Sequence, residues 1–131
     1  MLEVEVFGAE LAHGAPPLAE LQRLCVLAAA AAGVHDGHVA IEFVASGRIT
    51  ELNGKHRGKA SATDVLSFPI DGADPLAVAR ELGDVVICPE HTADLREAIV
   101  HGVLHLAGMD HETDSGEMLV LQRELLERED A

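Results

Sequence analysis

The stretch His101-Gly-Val-Leu-His105-Leu-Ala-Gly108-Met-Asp-His111 places three histidines at HxxxHxxGxxH spacing. Residues four apart on a helix stack on one face, so His101 and His105 can point at one ion from adjacent turns. Gly108 permits a sharp turn after them, and the chain can then bring His111 back as a third nitrogen ligand. Three neutral imidazoles suit a single tetrahedral Zn2+ per chain, with a fourth position open for water, whose pKa zinc lowers to roughly 7. Copper or nickel would bind the same nitrogens. The alternative is scattered histidines in a chain with eight of them, but three at this spacing favour a metal site.

Working backward, Leu95, Ile99, Val103 and Leu106 continue the helical pattern from an N-cap at Thr92, with Asp94 in the first turn. Asp110 and Glu112 flank the third histidine, either as caps of the turn or as groups that orient a ligand. His91 stands near the helix start and reads as a surface residue. The spacing equals that of metzincin peptidases except at Gly102, where those enzymes carry their general-base glutamate. Without a carboxylate there, proton delivery to a leaving amine has no obvious agent, which counts against peptide hydrolysis.

Working outward, a final amphipathic helix runs from about Ser115 through Met118, Leu119, Leu121, Leu125 and Leu126. Toward the start, Leu2 to Phe7 and Val39 to Ala45 alternate as half-buried strands do. Between them Pro16 and Pro17 open a helix carrying Leu18, Leu21, Leu24, Cys25, Ala28 and Ala32. Ser46 is placed as N-cap of a shorter helix through Ile49 and Leu52, ending near Asn53-Gly54, with Lys55 to Lys59 as loop. Asp64 to Ile70 and Gly83 to Cys88 supply a third and a fourth strand, joined by a connection through Asp71 to Pro75.

The 131 residues suffice for one domain, read as 1–131, with an aliphatic core, since 48% are hydrophobic but only 2% aromatic. Cys25 and Cys88 form no CxxC pair and read as small buried hydrophobes. The opening residues lack the basic start and apolar run of a signal peptide, and no stretch of ~20 apolar residues could span a bilayer, so the expected compartment is the cytoplasm. A formal net charge of −14 repels nucleic acid at long range. The distribution is uneven, however. Arg48, Lys55, Arg57 and Lys59 are four of the nine basic residues, whereas the chain from Asp110 onward sets eight acids against two arginines.

Residues 101–111 resemble the signature HGxLHLxGxDH of the YbeY family of metal-dependent endoribonucleases. Two further segments agree: Leu52-Asn-Gly-Lys-His-Arg57-Gly-Lys leading to Thr63-Asp-Val-Leu-Ser-Phe-Pro69 is similar to the block LNxxxRxxxxxTDVLSFP, and Leu82-Gly-Asp-Val-Val-Ile-Cys88 to the strand LGDIxI. The likeness spans about residues 40 to 120. It implies an α+β, zincin-like fold with a small mixed sheet of about four strands, and the metal site on the penultimate helix and following turn. It implies cleavage of single-stranded RNA in the maturation of ribosomal RNA, notably at the 3′ end of the small-subunit RNA, and in ribosome quality control. It also implies zinc ligation by His101, His105 and His111, and a functional role for Arg57; these four are the expected catalytic residues. Thr63, Asp64 and Ser67 match as well, and a turn into a buried strand would use the same residues. Two departures stand out: a shortened segment between Cys88 and His101, and His56 where the family commonly has tyrosine.

A metal ion and a guanidinium are a sensible pair for stabilising extra negative charge on a phosphate, and Arg57 can grip two of its oxygens at once. The sequence leaves open whether water or the ribose 2′-hydroxyl attacks. The four basic residues would form a local wall for RNA, with the ribosome or its proteins supplying further affinity. Two other readings remain: a zinc hydrolase of another substrate, and a non-catalytic ribosome-assembly factor whose zinc braces the fold.

Overall fold

Strand β1, Leu2–Phe7, turns Leu2, Val4 and Val6 inward and Glu3, Glu5 and Phe7 outward, as a pleated strand with one covered face must. The computed structural model describes residues 2–58, 63–71 and 80–130, with Arg57 and Asp130 described by their backbone alone. Lys59 and residues 72–75 of the expected connection lie outside the described residues. After a single 3-10 turn at Ala9–Leu11, helix α1 runs over Leu18–Ala31 and buries Leu21, Leu24, Cys25, Ala28 and Ala29. It leads to β2, Gly37–Phe43, which lies parallel to β1.

Helix α2 covers Ser46–Arg57. It passes the Asn53-Gly54 signal and takes in Lys55, His56 and Arg57, which were expected in a loop. Asn53 is 3% exposed, and Gly58, at φ 72, supplies the left-handed stop four residues later than expected. The hairpin partners β3, Val65–Pro69, and β4, Glu81–Ile87, are antiparallel, and β4 is parallel to β2. The result is a mixed four-stranded sheet in the order β1-β2-β4-β3, with β3 at one edge.

Alternation along β4 divides the core. Val85 and Ile87 join the main cluster with α1, helix α3 (Leu95–Leu106) and helix α4 (Glu117–Asp130). Val86 and Cys88 join a smaller cluster with Ile49 of α2 and Leu66 of β3. Because neighbouring residues of a strand point to opposite faces, α2 covers one side of the sheet and the other three helices cover the reverse. The α+β class expected from the sequence is therefore the observed one, with the histidine segment on the penultimate helix and the turn after it.

Ser46, expected as the N-cap of α2, is its first helical residue, with Ala45 at the cap position and no side-chain cap; the cap of α3 differs as well. Asp94, not Thr92, caps α3 by accepting from the Glu97 amide at 3.1 Å. Thr92 instead donates its hydroxyl to the Cys88 carbonyl at 2.7 Å, closing a 3-10 turn at Pro89–His91. Before α4, the Asp114 carboxylate accepts from the amides of Gly116 and Met118 at 2.8 and 2.9 Å, so the helix begins just after Ser115. Among the described residues no helix is long and apolar enough to cross a membrane.

Candidate metal centre

Helix α3 lies across the sheet at Gly102, whose missing side chain lets the backbone approach Val85 of β4. That contact, with Ala98, Ile99 and Leu106 buried around it, fixes which face of the helix looks away from the main core. His101 and His105 lie on the half-exposed remainder, one turn apart. Ser67 of β3 donates its hydroxyl to the Gly102 carbonyl at 3.3 Å, tying the edge strand to the helix beside them.

The turn after α3 delivers the third imidazole. Gly108 takes φ 99, its amide donates to the His105 carbonyl at 3.0 Å, and the Met109 amide donates to the Leu104 carbonyl at 3.1 Å. This is a Schellman close, in which a glycine in the left-handed region lets the chain reverse at once. Asp110 then organises the next turn, its carboxylate accepting from the Glu112 amide at 3.0 Å and its carbonyl from the Thr113 and Asp114 amides.

Three ring nitrogens meet as a consequence. One ligand atom from each of His101, His105 and His111 lies within 4.8 Å of the others, so the group can hold a metal ion. The Nε2 atoms of His101 and His105 are 3.1 Å apart. Zinc–nitrogen bonds of about 2.0–2.1 Å in a tetrahedron separate two nitrogens by about 3.3 Å, so the pair is spaced as two ligands of one ion are. The ring of His111 lies 5.0 and 5.3 Å, centre to centre, from those of His101 and His105.

The first ring is held from behind: His101 Nδ1 lies 2.9 Å from the Oε1 of Gln122, on α4. The buried Nδ1 of His111 has no hydrogen-bond partner among the described residues. Burial lowers the pKa of His105 below that of a free imidazole, and the neighbouring His101 and His111 lower it further, against an opposing pull from Asp110. A neutral imidazole keeps its lone pair, which is the form a metal requires.

The three histidines line a cleft of about 820 Å³ between α3 and β3, an edge strand of the sheet among the described residues. Thr63, Asp64 and Ser67 form one wall, Asp94 and Glu97 the other, and Gly108 to Glu112 the end. His56 reaches the rim from the last turn of α2, its ring 4.5 Å from that of Phe68. Arg57 follows it on the same turn, and its side chain lies outside the described residues. The expected basic wall is partly neutralised, because Arg48 and Lys55 both pair with Glu51, at 2.8 and 3.3 Å.

The other polar groups singled out in the sequence have different occupations. His91 Nε2 lies 2.9 Å from the Ser46 hydroxyl, joining the turn after β4 to the start of α2. Asp64 accepts from the Val65 amide at 2.9 Å while its own carbonyl accepts from the Cys88 amide, as a residue guiding the chain into a strand does. Both cysteines are free and buried. Sequence reasoning overlooked Gln122, although a signal was present: it falls on the helical stripe of Met118, Leu121 and Leu125, where a polar side chain needs a partner.

A sequence model of the family described as Endoribonuclease YbeY matches residues 18–129. Relatives named Endoribonuclease YbeY include one from Koribacter versatilis, 43% identical over 75% of this chain and 68% of its own length. Another, from Macrococcus caseolyticus, is 32% identical over 96% of this chain and 94% of its own. One from Pseudomonas entomophila is 39% identical over 96% and 88%. The solution structure of a Thermotoga maritima protein matches with a TM-score of 0.59 and 27% identity, covering 96% of this chain and 88% of that one.

Proposed function

Because this chain belongs to the YbeY family, we propose that it is a zinc-dependent endoribonuclease specific for single strands. It acts in the cytoplasm on ribosomal RNA, at the 3′ end of the small-subunit RNA and in ribosome quality control, with the ribosome or its proteins as partners. The observation that carries the reading is the convergence of three imidazoles on one point in the wall of an open cleft.

His101, His105 and His111 are the ligand set, and the donor chemistry fits: three nitrogens, two of them 3.1 Å apart, with the back of the His101 ring against Gln122. When bound, zinc supplies a Lewis acid for polarising a phosphoryl oxygen. The chain's own residues do the rest. The cleft lies beside an edge strand of the sheet, and its lining includes all three histidines, which supports a substrate phosphate being bound there. Arg57 serves as the anion grip, holding phosphate oxygens through its planar pair of donors. Acidic walls at Asp64, Asp94 and Glu97 weaken unspecific RNA association, so affinity depends on the arginine, the metal and a partner.

The test is cleavage of an end-labelled single-stranded ribosomal RNA fragment by metal-quantified protein, beside Arg57→Ala and His105→Ala variants checked by circular dichroism. Cleavage in proportion to zinc, lost in both folded variants, is expected. A zinc-loaded, folded wild type that leaves the fragment intact, alone and with small ribosomal subunits added, would defeat the ribonuclease reading and favour an assembly factor.

A further inference from the structure

We propose that Gln122 is the positioning residue that sets the tautomer of His101, making the last helix a working part of the metal centre. The inference rests on the metal-site reading of the three histidines and is independent of what the enzyme cleaves.

Gln122 is 8% exposed and sits between Met118 and Leu125, both fully buried, on the face that α4 turns toward α3. A primary amide in such a place is costly unless it is hydrogen-bonded, and its Oε1 meets His101 Nδ1 at 2.9 Å. An amide oxygen only accepts, so Nδ1 carries the proton. A neutral imidazole has a single N–H, which leaves the lone pair on Nε2. That is the nitrogen lying 3.1 Å from His105 Nε2, at the point where the three rings converge. Were Gln122 turned over, its NH2 group would donate to Nδ1 and move the ring proton to Nε2, aiming an N–H where a lone pair is needed. One hydrogen bond from α4 therefore selects the metal-binding form of a ring on α3 and fixes its rotation.

Among the described residues the buried Nδ1 of His111 has no such partner, and the His101 contact alone ties one of the three rings to another helix, 21 residues along the chain. Packing alone would have favoured leucine or methionine at position 122, in the company of Met118 and Leu125. A glutamine there answers a requirement of His101.

The test uses the full chain, with 15N chemical shifts of the His101 ring read in the metal-free protein and zinc affinity by competition with a chromophoric chelator. Wild type should show the proton on Nδ1. Gln122→Met, close in volume but without the acceptor, should lose that preference and bind zinc about 10- to 100-fold more weakly. Gln122→Glu should keep the Nδ1 proton and restore the affinity. A proton on Nε2 in the metal-free wild type overturns the proposal, and so does a folded Gln122→Met that keeps both tautomer and affinity. Should Gln122→Met fail to fold, the wild-type tautomer and the Gln122→Glu affinity still decide. Absence of zinc binding by wild type would defeat the metal reading instead, a different result from a wrong tautomer.

Discussion

Gly102 of α3 backs directly onto Val85 of β4: a Cβ added at position 102 would stand 2.4 Å from Val85 Cγ1 and 3.0 Å from Cγ2. The residue directly after the first histidine of the motif is thus a packing residue, and the helix lies this close to the sheet because it is bare. Gly102→Ala should destabilise the fold by about 1–3 kcal/mol through overpacking, measured by urea denaturation. Val85→Ala opens the same space. The double variant should therefore lose less than the two single losses added together. Strict additivity would show that the clash is relieved elsewhere. Gly102→Glu, which would recreate the peptidase pattern, should fold worse still and gain no peptidase activity.

Much of this is legible in the amino-acid sequence, for reasons that separate local from distant effects. The 101-105 spacing and Gly108 are local signals, and the structure shows the helix, the left-handed turn and the three rings they suggest. Strand alternation in β1 is equally plain, whereas β2 begins and ends two residues earlier than Val39 to Ala45 and buries Val39, Ala40 and Ile41 in succession. The end of α2 is not plain, because burial of Asn53 is a tertiary effect that overrides a turn signal. Nor is the cap of α3, where Thr92 and Asp94 compete and the loop from β4 takes Thr92 for itself. Gln122 escaped because its reason for being polar lies on another helix. Sheet order depends on pairings between distant segments, so a list of strands in sequence leaves it open.

His38 of β2 offers a pH-dependent contribution to stability. Its Nδ1 bonds the Glu81 carboxylate at 2.7 Å and its Nε2 faces Glu5. The bond to Glu81 raises its pKa above the ordinary imidazole value, Glu5 adds to this, and partial burial opposes it. A group whose folded pKa is raised stabilises fully below its unfolded pKa, about 6.5, and loses that contribution as pH rises through the folded value. Stability should therefore fall as pH climbs from about 6.5, and His38→Gln should flatten the fall. With Glu5 58% exposed, water screens the pair and holds the effect to about 1 kcal/mol or less. A wild-type profile matching that of His38→Gln would refute the coupling.

Cys25 is fully buried on α1, and loss of solvation pushes its thiol pKa to about 12. A thiol that cannot ionise is neither a nucleophile nor a ready metal ligand. Cys88 is equally buried, between α2 and the sheet. Native protein should react with an aromatic disulfide reagent only as fast as it unfolds, and both thiols should titrate at once in denaturant. Rapid labelling of either under native conditions would contradict the packing described for it.

Gly108 and Gly33 allow the backbone cost of a turn to be separated from its service to the metal. Both have positive φ, 99 and 86, and among the described residues beyond its chain neighbours neither has a heavy atom within 4 Å of where a Cβ would stand. Alanine at either should cost about 1–2 kcal/mol for forcing an L-residue into the left-handed region. Only Gly108 links the ligands of α3 to His111, because its amide closes on His105 and the chain must reverse there. Zinc should stabilise wild type and Gly33→Ala by the same increment in melting temperature, since binding to the native state alone adds stability in proportion to affinity. Gly108→Ala, displacing His111, should show a clearly smaller increment at equal zinc. Equal increments in all three proteins would mean that His111 reaches the metal without help from the turn, or that His101 and His105 hold the ion alone; His111→Ala decides between these, because only the second leaves its increment unchanged.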